Sequence, residues 1–415
     1  MRIAVVGGGI AGMGAAWLLK DQHEMVLFEG NDYLGGHTHT HDIEVASGRY
    51  AVDTGFIVFN PPHYPHLSRL FAQLDVASQP TVMSFGVRNE RTGLEYNATD
   101  LNRLFCQRSN LVSPRFWRMV WDIARFYRNA PKVLAGPDPG PTLGEYLDRE
   151  GYGRLFRDDH ILPMASALWS SPHAQIEHFP VRYLLQFMAN HHMLSLGDRK
   201  PWRVVQGGSQ SYVRKLAAGW RERVQVRLSC PVTRIARHDD GVVVEWQGHR
   251  EHFDQVILAC HSDQALRLLS DPSPAEQDVL SAIRYTRNET VLHTDESLLP
   301  ANRRAWAAWN GHIEREPSGH CTVSYCMNLL QGLRAPETFI VSLNCTARID
   351  PSKILRTLTY HHPEYSHAMV AAQSRRAEIS GQRRTWYCGA YWAWGFHEDG
   401  LRSAVDVARA LGSDW

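Results

Sequence analysis

Residues Tyr33 to His41 read YLGGHTHTH and set His37, His39 and His41 at alternate positions behind Gly35 and Gly36. Side chains two apart on a strand share a face. An extended run would therefore aim three imidazoles one way, and imidazole is a common zinc or copper ligand. Alternation sends the adjacent Asp42 to the other face, and no cysteine or further acid stands close by to complete a cage. No metal is expected. The seven cysteines are scattered, odd in number and without a CxxC. Cys321 and Cys326, the closest pair, match no common zinc spacing, so reduced thiols in a cytoplasm are expected.

The histidines gain a different meaning from the thirty residues before them. Ile3–Val6 is a continuous apolar run, as in a strand buried on both faces. It enters Gly7-Gly8-Gly9-Ile10-Ala11-Gly12, a helical stretch follows, and a second apolar run, MVLFE, ends at Glu29. Glycines at 7, 9 and 12 with an acid about 20 residues further on form the dinucleotide fingerprint. Gly7 allows the tight turn, Gly9 lets backbone approach a pyrophosphate, and Gly12 permits close helix–strand packing. The helix start at Ile10 and Ala11 offers unpaired N–H groups to phosphate. Glu29 is expected to accept ribose hydroxyls, which favours FAD or NAD over NADP.

With 415 residues the chain is longer than one average domain, and 44 basic against 43 acidic residues argue against nucleic-acid binding. No run of eighteen apolar residues occurs, so no spanning helix is expected.

Several later segments resemble flavoproteins of the amine oxidase superfamily. The Gly35-Gly36 pair is similar to that superfamily's RxGGR loop, with Leu34 and His37 where arginines usually stand, and Asp53-Thr54-Gly55-Phe56 resembles the element that follows it. Gly207-Gly208 before an amphipathic helix, three strands after residue 223 with turns at Asp240-Gly241 and Gln247-Gly248, and the tail from Thr385 match further pieces. The resemblance implies an α/β fold: a Rossmann-type FAD-binding domain of residues 1–75, 200–270 and 378–415, with a discontinuous α+β substrate domain of residues 76–199 and 271–377. It also implies FAD contacts from Gly30, Gly35, Gly36, His37, Thr38, Thr54, Gly55, Phe56, the backbone of Val232, and Gly389. A helix beginning near Gly400, with Leu401 in it, would face the flavin pyrimidine. Ala390 stands where many relatives carry an acid, for which His397, Glu398 and Asp399 could compensate.

Within the inserts, residues 81–97 suggest a hairpin and residues 111–134 a basic amphipathic helix. Phe116, Met119, Val120, Ile123, Ala124, Phe126 and Tyr127 share one side of that helix, with Arg115, Arg118, Arg125 and Arg128 opposite. It either faces a core or lies on a membrane surface. HILPMASALWSSP and FPVRYLLQFMANHHML suit a lid over an apolar pocket, and ETVLHTD, HCTVSYCMNLL and TFIVSLNCT suit strands. Over its length the chain resembles one bacterial branch, of predicted NAD/FAD-binding proteins associated with cyclopropane-fatty-acid-synthase-type lipid methyltransferases, in LGGHTHTH, DTGFIVFN, ACHSDQAL, WAAWN and GFHEDG.

That resemblance implies an FAD-dependent oxidoreductase moving hydride from an apolar substrate, a lipid acyl chain, to flavin N5. The alternatives are an amine oxidase and a flavin-carrying accessory protein of a lipid methyltransferase. Amine oxidases often keep a lysine near N5, and this chain has none in its second insert before Lys353. His191, His293 and His397 are acid–base candidates only because imidazole titrates near neutrality. A small-molecule or lipid substrate, peripheral contact with the inner membrane and a methyltransferase partner complete the expectations.

Overall fold

A computed structural model describes residues 1–191, 193–194, 201–220, 222–316 and 318–415. The expected boundary at 199–200 and His192 of the second lid segment lie outside them.

Arg2–Val6 forms a strand whose residues alternate between two cores: Ile3 and Val5 pack on one side, Ala4 and Val6 on the other. Burial on both faces is why the run is apolar without a polar alternation. It is third in a five-stranded parallel sheet of order Val224–Arg227, Glu24–Phe28, Arg2–Val6, Gln255–Leu258, Thr385–Tyr387. Every pairing in that sheet is parallel. Three widely separated stretches of chain thus build one layer. Helices Ile10–Leu19 and His397–Ala410 pack together over one of its faces. Val232–Arg237, Val242–Trp246 and His249–Phe253 make the three strands expected after residue 223, with turns at the two expected places.

A second, seven-stranded sheet belongs to the inserts. Its order is Ile354–Pro363, Tyr285–His293, Ile340–Leu343, Val323–Cys326, Trp309–Ile313, Phe85–Asn89, Glu95–Asn97. The last two strands are the hairpin expected within 81–97. Trp309–Ile313 and Ile354–Pro363 were not foreseen. The latter is an edge strand that pairs only with Tyr285–His293 and carries mostly exposed or half-buried residues, so it lacks a strong apolar pattern.

The basic helix runs Pro114–Leu134 and is capped by Ser113 Oγ, which accepts from the Phe116 N–H. Phe116, Met119, Phe126 and Ala130 are buried in the core, and Asp122 is buried beside them, bonded to the Gly153 N–H. No helix among the described residues is long and apolar enough to cross a membrane.

One buried polar node fastens the pieces together. Arg237, on the three-stranded sheet, pairs with Glu276 at the start of helix Pro274–Ser281, each with its side chain 2% exposed. Tyr387, on the parallel sheet's edge, donates to the same carboxylate at 2.6 Å. Those partners hold the Glu276 carboxyl at about 2 against the opposing push of burial. Its folded value lies below the unfolded one, so this stabilisation is complete above pH ~4.5 and fades as pH falls toward 2. Glu276→Gln is expected to lower stability by about 2–3 kcal/mol at pH 7, because the buried Arg237 then keeps only Asp271, 3.2 Å away and partly exposed, as a carboxylate partner. Urea denaturation checks this, and the gap between wild type and variant should narrow in acid.

Candidate functional site

The carboxyl ends of the parallel strands open onto a cavity of about 1490 Å³. Ligands in open α/β sheets bind at this edge. The volume exceeds the ~300–1,000 Å³ of ordinary ligand pockets and leaves room for a dinucleotide and a second molecule together.

The first glycine turn is built by close approach. A Cβ at Gly12 would lie 1.9 Å from the Gly7 carbonyl oxygen, so only glycine lets the helix sit against the turn, and Gly12 is covered rather than on the cavity wall. Gly7, Gly9, Ile10 and Ala11 do line the cavity, and the helix N-terminus opens into it. Glu29 also lines it, but its carboxylate is already engaged. Oε2 accepts from the Gly8 N–H at 2.7 Å, and Oε1 accepts from the Asn31 backbone and amide at 2.8 and 2.9 Å. The second glycine pair packs on the first: the Gly35 N–H donates to the Gly8 carbonyl at 2.8 Å, and a Cβ on Gly36 would stand 3.2 Å from Gly9.

His39 and His41 do share a side, with ring centroids 4.0 Å apart, but His37 does not join them. Their strand begins at Thr40, so His37 sits in the preceding turn. His37 lines the cavity against Tyr360, 5.0 Å between ring centroids, while His39 stacks on Tyr33 and His41 bonds Thr54 Oγ1. Among the described residues no three His, Cys, Asp or Glu side chains are placed to hold a metal ion.

Thr54, Gly55 and Phe56 line the cavity, as do Gly30, Val232 and Gly389. Their position follows from Asp53, which is wholly buried. Its carboxylate accepts from Thr40 Oγ1, from the Ser209 N–H and hydroxyl at 2.9 and 2.8 Å, and from Gln331 Nε2 at 2.9 Å. Gln331 Oε1 in turn takes the Asp53 N–H. Burial pushes this carboxyl up to about 6 although every neighbour donates to it. The glycine pair at 207–208 therefore serves by delivering Ser209 to Asp53; neither glycine lines the cavity.

At the tail the structure differs from expectation. The helix begins at His397 rather than near Gly400, because the Asp399 carboxylate accepts from the Phe396 N–H at 3.1 Å and fixes the helix start there. Glu398 points away from the cavity and accepts from the His66 and Leu67 N–H groups at the start of helix Pro65–Gln73. Glu398, Asp399, Gly400 and Leu401 thus do not line the cavity, and neither acid substitutes there for the one replaced by Ala390. Phe396 and His397 do line it. His397 stacks on Phe56 at 3.6 Å, and its Nε2 lies 2.8 Å from Thr38 Oγ1 and 2.9 Å from the Tyr212 hydroxyl. Thr38 is buried in this contact instead of facing the cavity.

Of the other histidine candidates, His191 lines the cavity with Nδ1 on the Phe187 carbonyl. His293 does not line it; its ring nitrogens are taken by Ser342 Oγ and the Asp295 N–H, a purely structural pairing. The sequence reading missed His261, His361 and His362, which line the cavity near His37. Burial pushes His37 to about 4 and His261, His362 and His397 to about 3, so these rings are neutral at pH 7. The only signals for them were a strand end (ACH) and a doublet (YHHP) on the unforeseen edge strand.

The insert-side wall is apolar: Phe85, Val120, Ile123, Tyr127, Met164 and Leu168 face the cavity. The residues fit a flavin dinucleotide. The turn offers a helix N-terminus, two glycine pairs pass at close range, and the buried His37 Nε2 and Tyr391 hydroxyl lack a partner within the protein. A Cβ built on Gly9 meets nothing within 4 Å. Gly9→Ala should therefore match the melting temperature of flavin-free wild type yet retain at least about tenfold less flavin, since only a bound pyrophosphate would meet the methyl. Calorimetry and the visible absorbance of the purified variant check both halves.

Among curated proteins no relative matches this chain. Solved structures match its fold over nearly the whole length. A CLA-producing fatty acid isomerase from P. acnes superposes with a TM-score of 0.73 at 15% identity, covering 99% of this chain and 98% of that one. Cyclohexylamine oxidase from Brevibacterium oxydans IH-35A gives 0.69 at 15%, covering 99% of each, and putrescine oxidase bound to putrescine gives 0.69 at 12%, again covering 99% of each. The sequence profile of flavin containing amine oxidoreductases matches residues 10–294, more than half of the protein. The chain belongs to the flavin containing amine oxidoreductase family, and it is an oxidoreductase with FAD as its cofactor.

Proposed function

We propose that this enzyme oxidises an apolar substrate, a lipid acyl chain, rather than an amine. The observation that carries the reading is the charge of the cavity wall. Among the described residues its only acids are Glu29, committed to Gly8 and Asn31, and the solvent-exposed Asp100, paired with Arg103. No lysine lines it among the described residues. An ammonium drawn into the apolar half would find no buried anion, and an unpaired buried charge is strongly unfavourable.

A bound flavin supplies hydride acceptance at N5. This chain's residues supply position and dryness. Phe85, Ile123, Met164 and Leu168 offer van der Waals contact along an extended hydrocarbon and exclude water. The neutral imidazoles of His37, His261 and His362 bring one N–H donor and one acceptor nitrogen each without charge, and at these depressed values they do not take up a second proton at pH 7. His397 is a positioning residue that holds Phe56 against the cavity through Thr38 and Tyr212. The fold shared with a fatty acid isomerase supports an acyl substrate, and the motifs of the methyltransferase-associated branch support one attached to lipid.

Residues 1–75, 200–270 and 378–415 are proposed as the FAD domain and 76–199 with 271–377 as the substrate domain. All five parallel strands fall in the first set, which supports the division. Seven free cysteines support a reducing, cytoplasmic setting. Anaerobic mixing tests the substrate: acyl lipids should bleach the flavin absorbance, while putrescine and cyclohexylamine should leave it unchanged. Bleaching by an amine, with peroxide released once air is admitted, would sink the reading. A flavin inert to lipid and amine alike would instead favour an accessory subunit of a lipid methyltransferase.

A further inference from the structure

We infer that the mouth of this cavity docks on an anionic lipid bilayer through a patch formed by residues 101–121. Of the nine large apolar side chains most exposed among the described residues, five fall in this stretch: Leu101 at 72%, Leu111 at 48%, Val112 at 84%, Trp117 at 48% and Trp121 at 57%. They belong to one surface. Helix Leu101–Leu104, the turn Arg108–Val112 and helix Pro114–Leu134 are joined by the Trp117 Nε1–Leu111 carbonyl bond at 2.8 Å, the Phe105–Trp117 ring contact at 5.1 Å and the Arg108–Asn102 bonds. Clustered exposed apolar side chains mark an interaction site, and tryptophan suits the headgroup level of a membrane.

Charge selects the occupant. Residues 100–132 hold seven basic side chains (Arg103, Arg108, Arg115, Arg118, Arg125, Arg128, Lys132) against Asp100 and Asp122, a net 7 − 2 = +5 in a chain whose total is +1. Asp122 is buried beneath Arg125 at 3.1 Å, and Asp100 is paired with Arg103, so little free negative charge faces outward. A ring of arginines around tryptophan and leucine complements phosphate headgroups over acyl chains.

Continuity gives the patch its purpose. The same helix that exposes Trp117 and Trp121 places Val120, Ile123 and Tyr127, on the adjoining side, in the cavity wall. Leu101 and Val82 are at once exposed and part of that wall. A membrane against this face meets the apolar half of the cavity directly, so an acyl chain passes inward without crossing water. The inference rests on the acyl-substrate reading for its purpose, but its test reads binding and not turnover.

The experiment is flotation of the full-length, FAD-loaded protein with phosphatidylcholine vesicles, with and without phosphatidylglycerol, beside W117S/W121S and Arg115→Gln. Wild type should float with the anionic vesicles and be released by high salt. W117S/W121S should bind roughly tenfold or more weakly while keeping the wild-type flavin absorbance, with the melting temperature lowered by no more than a few degrees through loss of the Trp117 contacts. Arg115→Gln should weaken binding by about fivefold on anionic vesicles alone. Failure of wild type to float, or flotation unaffected by both variants, overturns the inference. So does a wild-type dimer in light scattering that W117S/W121S converts to monomer, since a second copy would then cover the patch. Flotation without flavin bleaching by lipid would leave docking standing and remove the substrate reading, so the two fail separately.

Discussion

The close approach of helix Ile10–Leu19 to the Gly7 carbonyl, which only a glycine at position 12 permits, fixes what the rest can be. A single methyl at Gly12 is incompatible with it. Two further contacts of the same kind bring in the end of the chain. A Cβ on Gly14 would stand 2.6 Å from Leu401, and one on Gly400 would stand 2.9 Å from Ile10. Helix His397–Ala410 therefore packs tightly on the first helix, with the Leu401 side chain seated over Gly14 and that of Ile10 over Gly400, and the N-terminal ends of both open on one cavity. Two helix dipoles are aimed at the same region by removing side chains, with no charged residue needed to do it.

Polar nodes then lock segments that are remote in sequence. Asp53 gathers Thr40, Ser209 and Gln331, from three separate parts of the chain, and Glu276 gathers Arg237 and Tyr387. Each acid is buried and each is fully occupied by donors. A carboxylate in that position tolerates little displacement, because any donor or acceptor that loses its partner out of reach of water costs about 1–3 kcal/mol. The discontinuous chain is thereby held as one body around the cavity, and the cavity-lining turn Thr54–Phe56 inherits the rigidity of Asp53.

How much of this was legible depends on whether a residue's role is local. The glycines at 7, 9 and 12, the buried strands around them and the hairpin turns are decided within a few residues, so their spacing reveals them. His37 was placed in the right region, yet its strand starts three residues later than alternation required, because the turn at Gly35–Gly36 extends through Thr38. Glu398 and Asp399 look like cofactor acids in sequence, but a helix start needs a cap, and a neighbouring helix start at Pro65 needs acceptors too. Those nearby demands claimed both side chains. His261, His361 and His362 meet only through the pairing of distant strands, and nothing in their own neighbourhoods announces it.

The histidines carry the last step. A cavity that buries several imidazoles could have been built to hold protons or metal, and either would have required a compensating acid beside them. The acids close to this cluster are absent from its wall, and the rings are driven neutral first by loss of water and then by one another's proximity. What results is a chamber that is polar enough to orient a ring system through hydrogen bonds and uncharged enough to admit hydrocarbon. A protein handling cations would invert that arrangement, keeping an ionised carboxylate where Phe85, Met164 and Leu168 now stand. The electrostatics of the wall, more than any single residue, are what the proposal of an acyl rather than an amine substrate rests on.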